Sequence, residues 1–125
     1  MSDDRDPTTE RVIGFAIDVH RALGPGLLES ANEECLCHEL ETSGLLYRRQ
    51  VALPIVYKSV RLDCGYRIDV VVEDSLVLEL KTVDRILPIH ESQLLTYLRL
   101  GRYRTGLILN SHAPTLRSGL KRMVL

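Results

Sequence analysis

The tripeptide Glu79-Leu80-Lys81 places an acid and a base two residues apart in a run that is otherwise apolar, beginning Leu76-Val77-Leu78. In an extended strand, alternation sends Glu79 and Lys81 to one face and Leu78 and Leu80 to the other. A second acid, Asp69, stands between Ile68 and Val70-Val71-Val72, a segment equally fit for burial. Paired as neighbouring strands, the two segments bring Asp69 within reach of Glu79. Carboxylates so placed repel and raise each other's pKa unless a cation lies between them, and hard oxygen donors suit Mg²⁺ or Mn²⁺. Lys81 would then hold or help deprotonate a water beside the metal, or stabilise charge developing on a phosphate. The same three residues also fit an ordinary cross-strand ion pair on a solvated sheet face, with Lys81 neutralising one acid.

Two other places carry polar groups where apolar ones would serve a core better. After Pro88, His90, Gln93 and Tyr97 fall at i, i+3 and i+7 of a helix, flanked by Ile89, Leu94 and Leu100, with Ser92, Thr96 and Arg99 elsewhere on the wheel. Such a stripe needs partners, either core hydrogen bonds or the carboxylates, water and phosphate of a site. Glu29 follows Gly24-Pro25-Gly26-Leu27-Leu28 in the first turn of another helix. It suits the positive end of the helix dipole, and it equally suits a third metal-site carboxylate.

The elements that must position these groups can be read from the periods. Residues 1–8 are acidic and lack an apolar anchor, which predicts a loose tail before a domain of residues 9–125. Val12, Ala16, Val19 and Leu23 give a helix over 9–23 with Thr8 or Thr9 as cap. Leu28, Ala31, Cys35, Leu36 and Leu40 give the apolar side of a second helix over 27–43, closed by Gly44. Beyond Gly44 the period falls to two: 47–57 is extended, with an edge or bend at Pro54 and a turn at Lys58-Ser59. Segments 60–64, 67–72 and 76–83 follow as strands, the last two joined by Glu73-Asp74-Ser75 into a hairpin. A helix over 88–100 starts at Pro88 and closes at Gly101, and strands over 105–109 and 120–125 end the chain. This order predicts an α/β fold, a mixed sheet flanked by helices.

A chain of 125 residues with 45% hydrophobic and 26% charged residues suits one soluble core and excludes a disordered chain or a fibre. No run approaches ~18 consecutive apolar residues, and the N-terminus lacks the basic and apolar regions of a signal peptide, so the expected location is the cytoplasm, away from membranes. Cys35, Cys37 and Cys64 lack the paired spacing of a zinc or iron-sulfur site and read as small reduced hydrophobes. The net charge of −1 hides an asymmetry: residues 1–47 hold ten acids and three bases, residues 48–125 thirteen bases and seven acids. The basic part could face a phosphate backbone, or the two halves could merely solvate the surface.

Taken in order, Gly26-Leu27-Leu28-Glu29, Arg67-Ile68-Asp69, Glu79-Leu80-Lys81, Gln93-Leu94-Leu95-Thr96-Tyr97-Leu98, Gly106-Leu107-Ile108-Leu109-Asn110 and Leu120-Lys121-Arg122 closely resemble the GxxExxY family of small bacterial and archaeal proteins, placed in the PD-(D/E)XK nuclease superfamily. The resemblance runs from about residue 10 to the end of the chain and implies a restriction-endonuclease-like core. It implies Asp69 and Glu79 as ligands of a divalent metal, Mg²⁺ or Mn²⁺, Glu29 as a further acid from the first core helix, and Lys81 as the catalytic lysine; the Leu80 carbonyl is a candidate additional ligand. Gln93 and Tyr97 resemble the QxxxY element of RecB-like nucleases, near the substrate strand. One position departs, since Asn32 stands where the family's pattern calls for a tyrosine three residues after the glutamate. The implied activity is metal-dependent hydrolysis of phosphodiester bonds in DNA. The alternatives are a catalytically silent nucleic-acid- or protein-binding module on the same scaffold, and a homo-oligomeric structural protein in which the acids and Lys81 form an ion-pair network.

Overall fold

Asp6-Pro7 opens the first helix for two reasons: aspartate accepts from the free N–H groups of a first turn, and proline has no N–H to leave unpaired there. In the computed structural model, which describes residues 6–26 and 28–125, helix α1 accordingly spans Pro7–Leu23, and Asp6 accepts from the Thr9 backbone N–H at 2.8 Å and the Thr9 hydroxyl at 2.7 Å. The cap is therefore Asp6, not Thr8 or Thr9. Of the tail expected over 1–8, residues 7 and 8 are helical, and 1–5 lie outside the described residues.

Helix α2 spans Glu29–Thr42 and begins two residues later than its pattern suggested; Leu27 lies outside the described residues. Its inward face is rotated from the expected one. Leu28 is 74% exposed, while Asn32 and Glu33 are buried with Leu36, Cys37 and Leu40. Glu33 can be buried because an arginine and a glutamine from the next strand meet it, as described below. Cys37 is buried as expected of a small hydrophobe, whereas Cys64 is exposed.

Strands β1 (Tyr47–Ala52), β2 (Ile55–Tyr57), β3 (Val60–Leu62), β4 (Arg67–Val72) and β5 (Leu76–Lys81) follow, then α3 (Pro88–Gly101), β6 (Thr105–Asn110) and β7 (Leu120–Val124). The extended run expected over 47–57 is two strands, broken at Leu53-Pro54, where proline removes a ladder donor. β2 and β3 pair with each other in a separate small hairpin, and both turn residues, Lys58 and Ser59, have left-handed φ values of 48° and 68°. The main sheet has the order β1-β4-β5-β6-β7, parallel between β5 and β6 and antiparallel elsewhere. This is the mixed sheet flanked by helices that the element order predicts.

Helices α1 and α2 cover one face through Val12, Ala16, Leu36 and Leu40, which pack on Val70, Val72, Leu76, Leu78, Leu80 and Leu107. Helix α3 covers the other through Leu94, Tyr97 and Leu98, on Ile68, Val71, Val77 and Ile108. α3 packs tightly on the sheet at Gly106, where an added Cβ would stand 2.7 Å from a methyl of the fully buried Leu94. Gly106→Ala should therefore destabilise the protein by about 1–3 kcal/mol through overpacking, measured by urea denaturation. An unchanged midpoint would mean that α3 has room to lift, and that its side chains are less firmly placed than this contact requires.

Candidate active site

The β4–β5 hairpin supplies the site because its ladder ends early. The last rung is Val70–Leu78, one residue short of the position where Asp69 and Glu79 would face each other. Each carboxylate takes over a backbone donor that the missing rungs leave free. The Asp69 N–H donates to Glu79 Oε1 at 3.3 Å, and the Leu80 N–H donates to Asp69 Oδ2 at 2.8 Å. The two acids are thus crossed on each other's strands, each accepting a backbone hydrogen bond from the other's strand.

Glu79 is only 6% exposed, so the simple reading of a solvated ion pair does not hold. Burial, reinforced by the Asp69 charge, pushes its carboxyl up to about 8. Burial also raises Asp69, against the Leu80 hydrogen bond that lowers it. Lys81 lies at the end of β5, half-buried, and its charge favours the ionised forms of Asp69, Glu79 and Glu29. Among the described residues, however, it makes no salt bridge with any of them. The ammonium group is close enough to be felt and is not consumed by pairing. Its backbone is fixed: the Ser111 N–H and hydroxyl both donate to the Lys81 carbonyl, at 3.0 and 3.3 Å. The strand expected to run to residue 83 stops at Lys81, and the buried Asn110 side chain then clamps Val83, donating to its carbonyl at 2.8 Å and accepting from its N–H at 3.1 Å.

Glu29 opens α2 on the exposed side of the site. Burial and then the Asp69 charge raise its pKa, and Lys81 lowers it, so it shares the field of the hairpin acids. On α3, Gln93 donates to the Tyr97 hydroxyl at 2.9 Å. Tyr97 is buried, and its phenol is held above its usual value by burial and by the Glu79 charge. Of the predicted residues, Glu29, Asp69, Glu79, Lys81 and Tyr97 therefore interact electrostatically, and Gln93 joins through Tyr97. His90, which shares their sector of the wheel, is used otherwise: its Nδ1 accepts from the Leu87 N–H and caps the helix. Beside Gln93 and Tyr97 a cleft of about 360 Å³ opens between Ile55, Tyr66, Ile89 and Leu100.

Glu33 and Gln50 belong to the site as well. Glu33 Oε2 accepts from Arg49 Nε and Nη2, at 2.9 and 2.8 Å, and Glu33 Oε1 accepts from Gln50 Nε2 at 3.0 Å. Glu33 raises the Asp69 pKa through its charge, and the Gln50 side chain lowers it by hydrogen bonding. The available sequence signal was the spacing of four from Glu29 to Glu33, which puts both on one side of α2.

The oxygen donors fit a hard divalent cation, since a buried and a half-buried carboxylate, both with raised pKa values, form a cluster short of positive charge, and Mg²⁺ commonly takes only one or two carboxylates and keeps several waters. Among the described residues, no three His, Cys, Asp or Glu side chains are drawn together closely enough to enclose a metal ion by themselves. A family model described as the PD-(D/E)XK nuclease superfamily matches residues 6–123. The chain belongs to that superfamily. Its sheet and helices agree with the restriction-endonuclease-like core of these nucleases, which generally use divalent metals on nucleic-acid substrates. No curated protein and no solved structure matches the chain. Among the described residues, no helix is long and apolar enough to cross a membrane.

Proposed function

We propose that this PD-(D/E)XK protein hydrolyses phosphodiester bonds in DNA with the help of Mg²⁺ or Mn²⁺, and that within the superfamily it is of the GxxExxY kind with a RecB-like Gln93–Tyr97 pair. The observation that carries this reading is the crossed Asp69–Glu79 pair, with a lysine two residues beyond Glu79 that makes no salt bridge among the described residues. Asp69 and Glu79, with Glu29 from α2, would hold the cation. When bound, it supplies positive charge to the phosphate and makes a nearby water more acidic.

The chain's own groups do the rest. Lys81 donates hydrogen bonds to the attacking water or to a phosphate oxygen, where charge grows in the transition state. Tyr97, oriented by Gln93, positions the scissile strand, and the cleft between Tyr66 and Ile89 accommodates a neighbouring nucleotide. Asn110 and Ser111 keep the lysine from drifting, since a misplacement of about 1 Å can lower a rate 10²-fold.

The test is incubation of end-labelled single- and double-stranded DNA, and of the matching RNA, with the protein and Mg²⁺ or Mn²⁺, followed by gel analysis. Metal-dependent DNA products are expected and should disappear with chelator. Cleavage of RNA alone would overturn the choice of substrate. No cleavage of either polymer, together with retained binding, would leave the silent nucleic-acid-binding module as the reading.

A further inference from the structure

We propose that Gln50 is a positioning residue, which holds the Asp69 carboxylate in the orientation that a divalent cation requires. The inference rests on the reading of Asp69 as a cation ligand and adds a residue on a different strand. Three observations carry it.

The first is backbone geometry. Gln50 lies in the middle of β1 with φ of 51°, in the left-handed region that glutamine rarely enters. It is left out of the ladder: β1 pairs with β4 through Arg49–Val70 and Val51–Ile68, and the rung between them, Gln50 with Asp69, is missing. The second is what this backbone does to both strands. By alternation Tyr47 and Val51 should share a face, yet Tyr47 packs under α1 and α2 and Val51 under α3. Ile68 and Val70 part in the same way, Ile68 under α3 and Val70 under α1 and α2. Both strands therefore change face at a single rung, the one that contains the candidate ligand. The third is the side chain. Gln50 is exposed, so it is not held there by core packing, and its amide donates to Glu33 at 3.0 Å from the position opposite Asp69 in the missing rung. Glu33 is itself immobilised by two bonds from Arg49. Arg49, Glu33 and Gln50 thus form a chain of contacts that starts at an ion pair and ends at the residue facing Asp69 across the missing rung. Strained residues kept at such points commonly serve a site rather than the fold.

Gln50→Gly separates these roles, because glycine adopts the same backbone without strain and lacks the amide. Mn²⁺ affinity is measured by calorimetry and the melting temperature is read on the same metal-free samples. The expected result is a dissociation constant raised about 10- to 100-fold, the usual effect of losing a group that orients a metal ligand, with the melting temperature unchanged or higher. Unchanged affinity would overturn the proposal, and so would an affinity loss matched by a fall in melting temperature, which would mark Gln50 as structural. If the unsubstituted protein itself binds no Mn²⁺, the cation reading of Asp69 fails, and that outcome is distinct because it is seen before any substitution is made.

Discussion

Lys81→Ala should slow metal-dependent DNA cleavage by about 10²–10³-fold, the scale on which enzymes lose rate when one aimed transition-state donor is removed. The argument is positional. Lys81 follows Glu79 by two residues, its carbonyl is held by Ser111, and among the described residues its ammonium is in no salt bridge. Little packing is lost on truncation, so stability at pH 6 should change by less than about 1 kcal/mol. Mn²⁺ binding should persist, because the carboxylates remain. Single-turnover cleavage by the variant, read beside its calorimetric metal titration, checks both halves. A fully active Lys81→Ala protein would remove the lysine from the mechanism, and a variant that loses Mn²⁺ together with activity would show that the lysine acts through the acids rather than on the phosphate.

In metal-free protein, stability should fall as pH rises from about 5 to about 8, and Glu79→Gln should flatten most of that slope. The folded-state carboxyl of Glu79 is pushed up to about 8 from an ordinary value of 4.5. Below 4.5 both folded and unfolded chains hold the proton. Between the two values the folded chain keeps it and the unfolded chain does not, so each pH unit across that window removes at most about 1.4 kcal/mol. The raised pKa of Asp69 adds in the same direction. Glutamine preserves the shape and carries no charge to bury, so the variant should be more stable than the parent by a few kcal/mol at pH 8.5 and nearly equal to it at pH 5. Thermal melts across this range decide the matter. Parallel curves for the two proteins would mean that the Glu79 carboxylate is solvated well enough to ionise normally.

The hairpin was legible because alternation is strict there: Leu76, Leu78 and Leu80 had to face a core, which left Glu79 and Lys81 together on the other side. Helical spacing grouped Gln93 and Tyr97 with His90, which caps α3 instead, and the pair was singled out by the family resemblance. What sequence could not give was the backbone at Gln50, since glutamine carries no preference for left-handed φ and only the missing rung opposite Asp69 reveals it. Glu33 was passed over because acids are seldom buried without a partner, and its partner Arg49 is sixteen residues away on another element. The cap at Asp6 was missed for a simpler reason: an acidic start resembles a tail, and only the following proline marks it as the first turn.

The paired change of face at Gln50 and Asp69 also bears on how β1 finds its place during folding. Along an ordinary two-faced strand, a slip by two residues restores every side chain to its correct side and competes with the native pairing. Here such a slip would put the change of face in β1 against an unbroken stretch of β4. Apolar residues between the two breaks would then turn outward on one strand while their neighbours on the other still turned inward. The break thus works as an index mark, and it tells an edge strand, joined to its partner only through a long excursion past the β2–β3 hairpin, which of several near-equivalent alignments to keep.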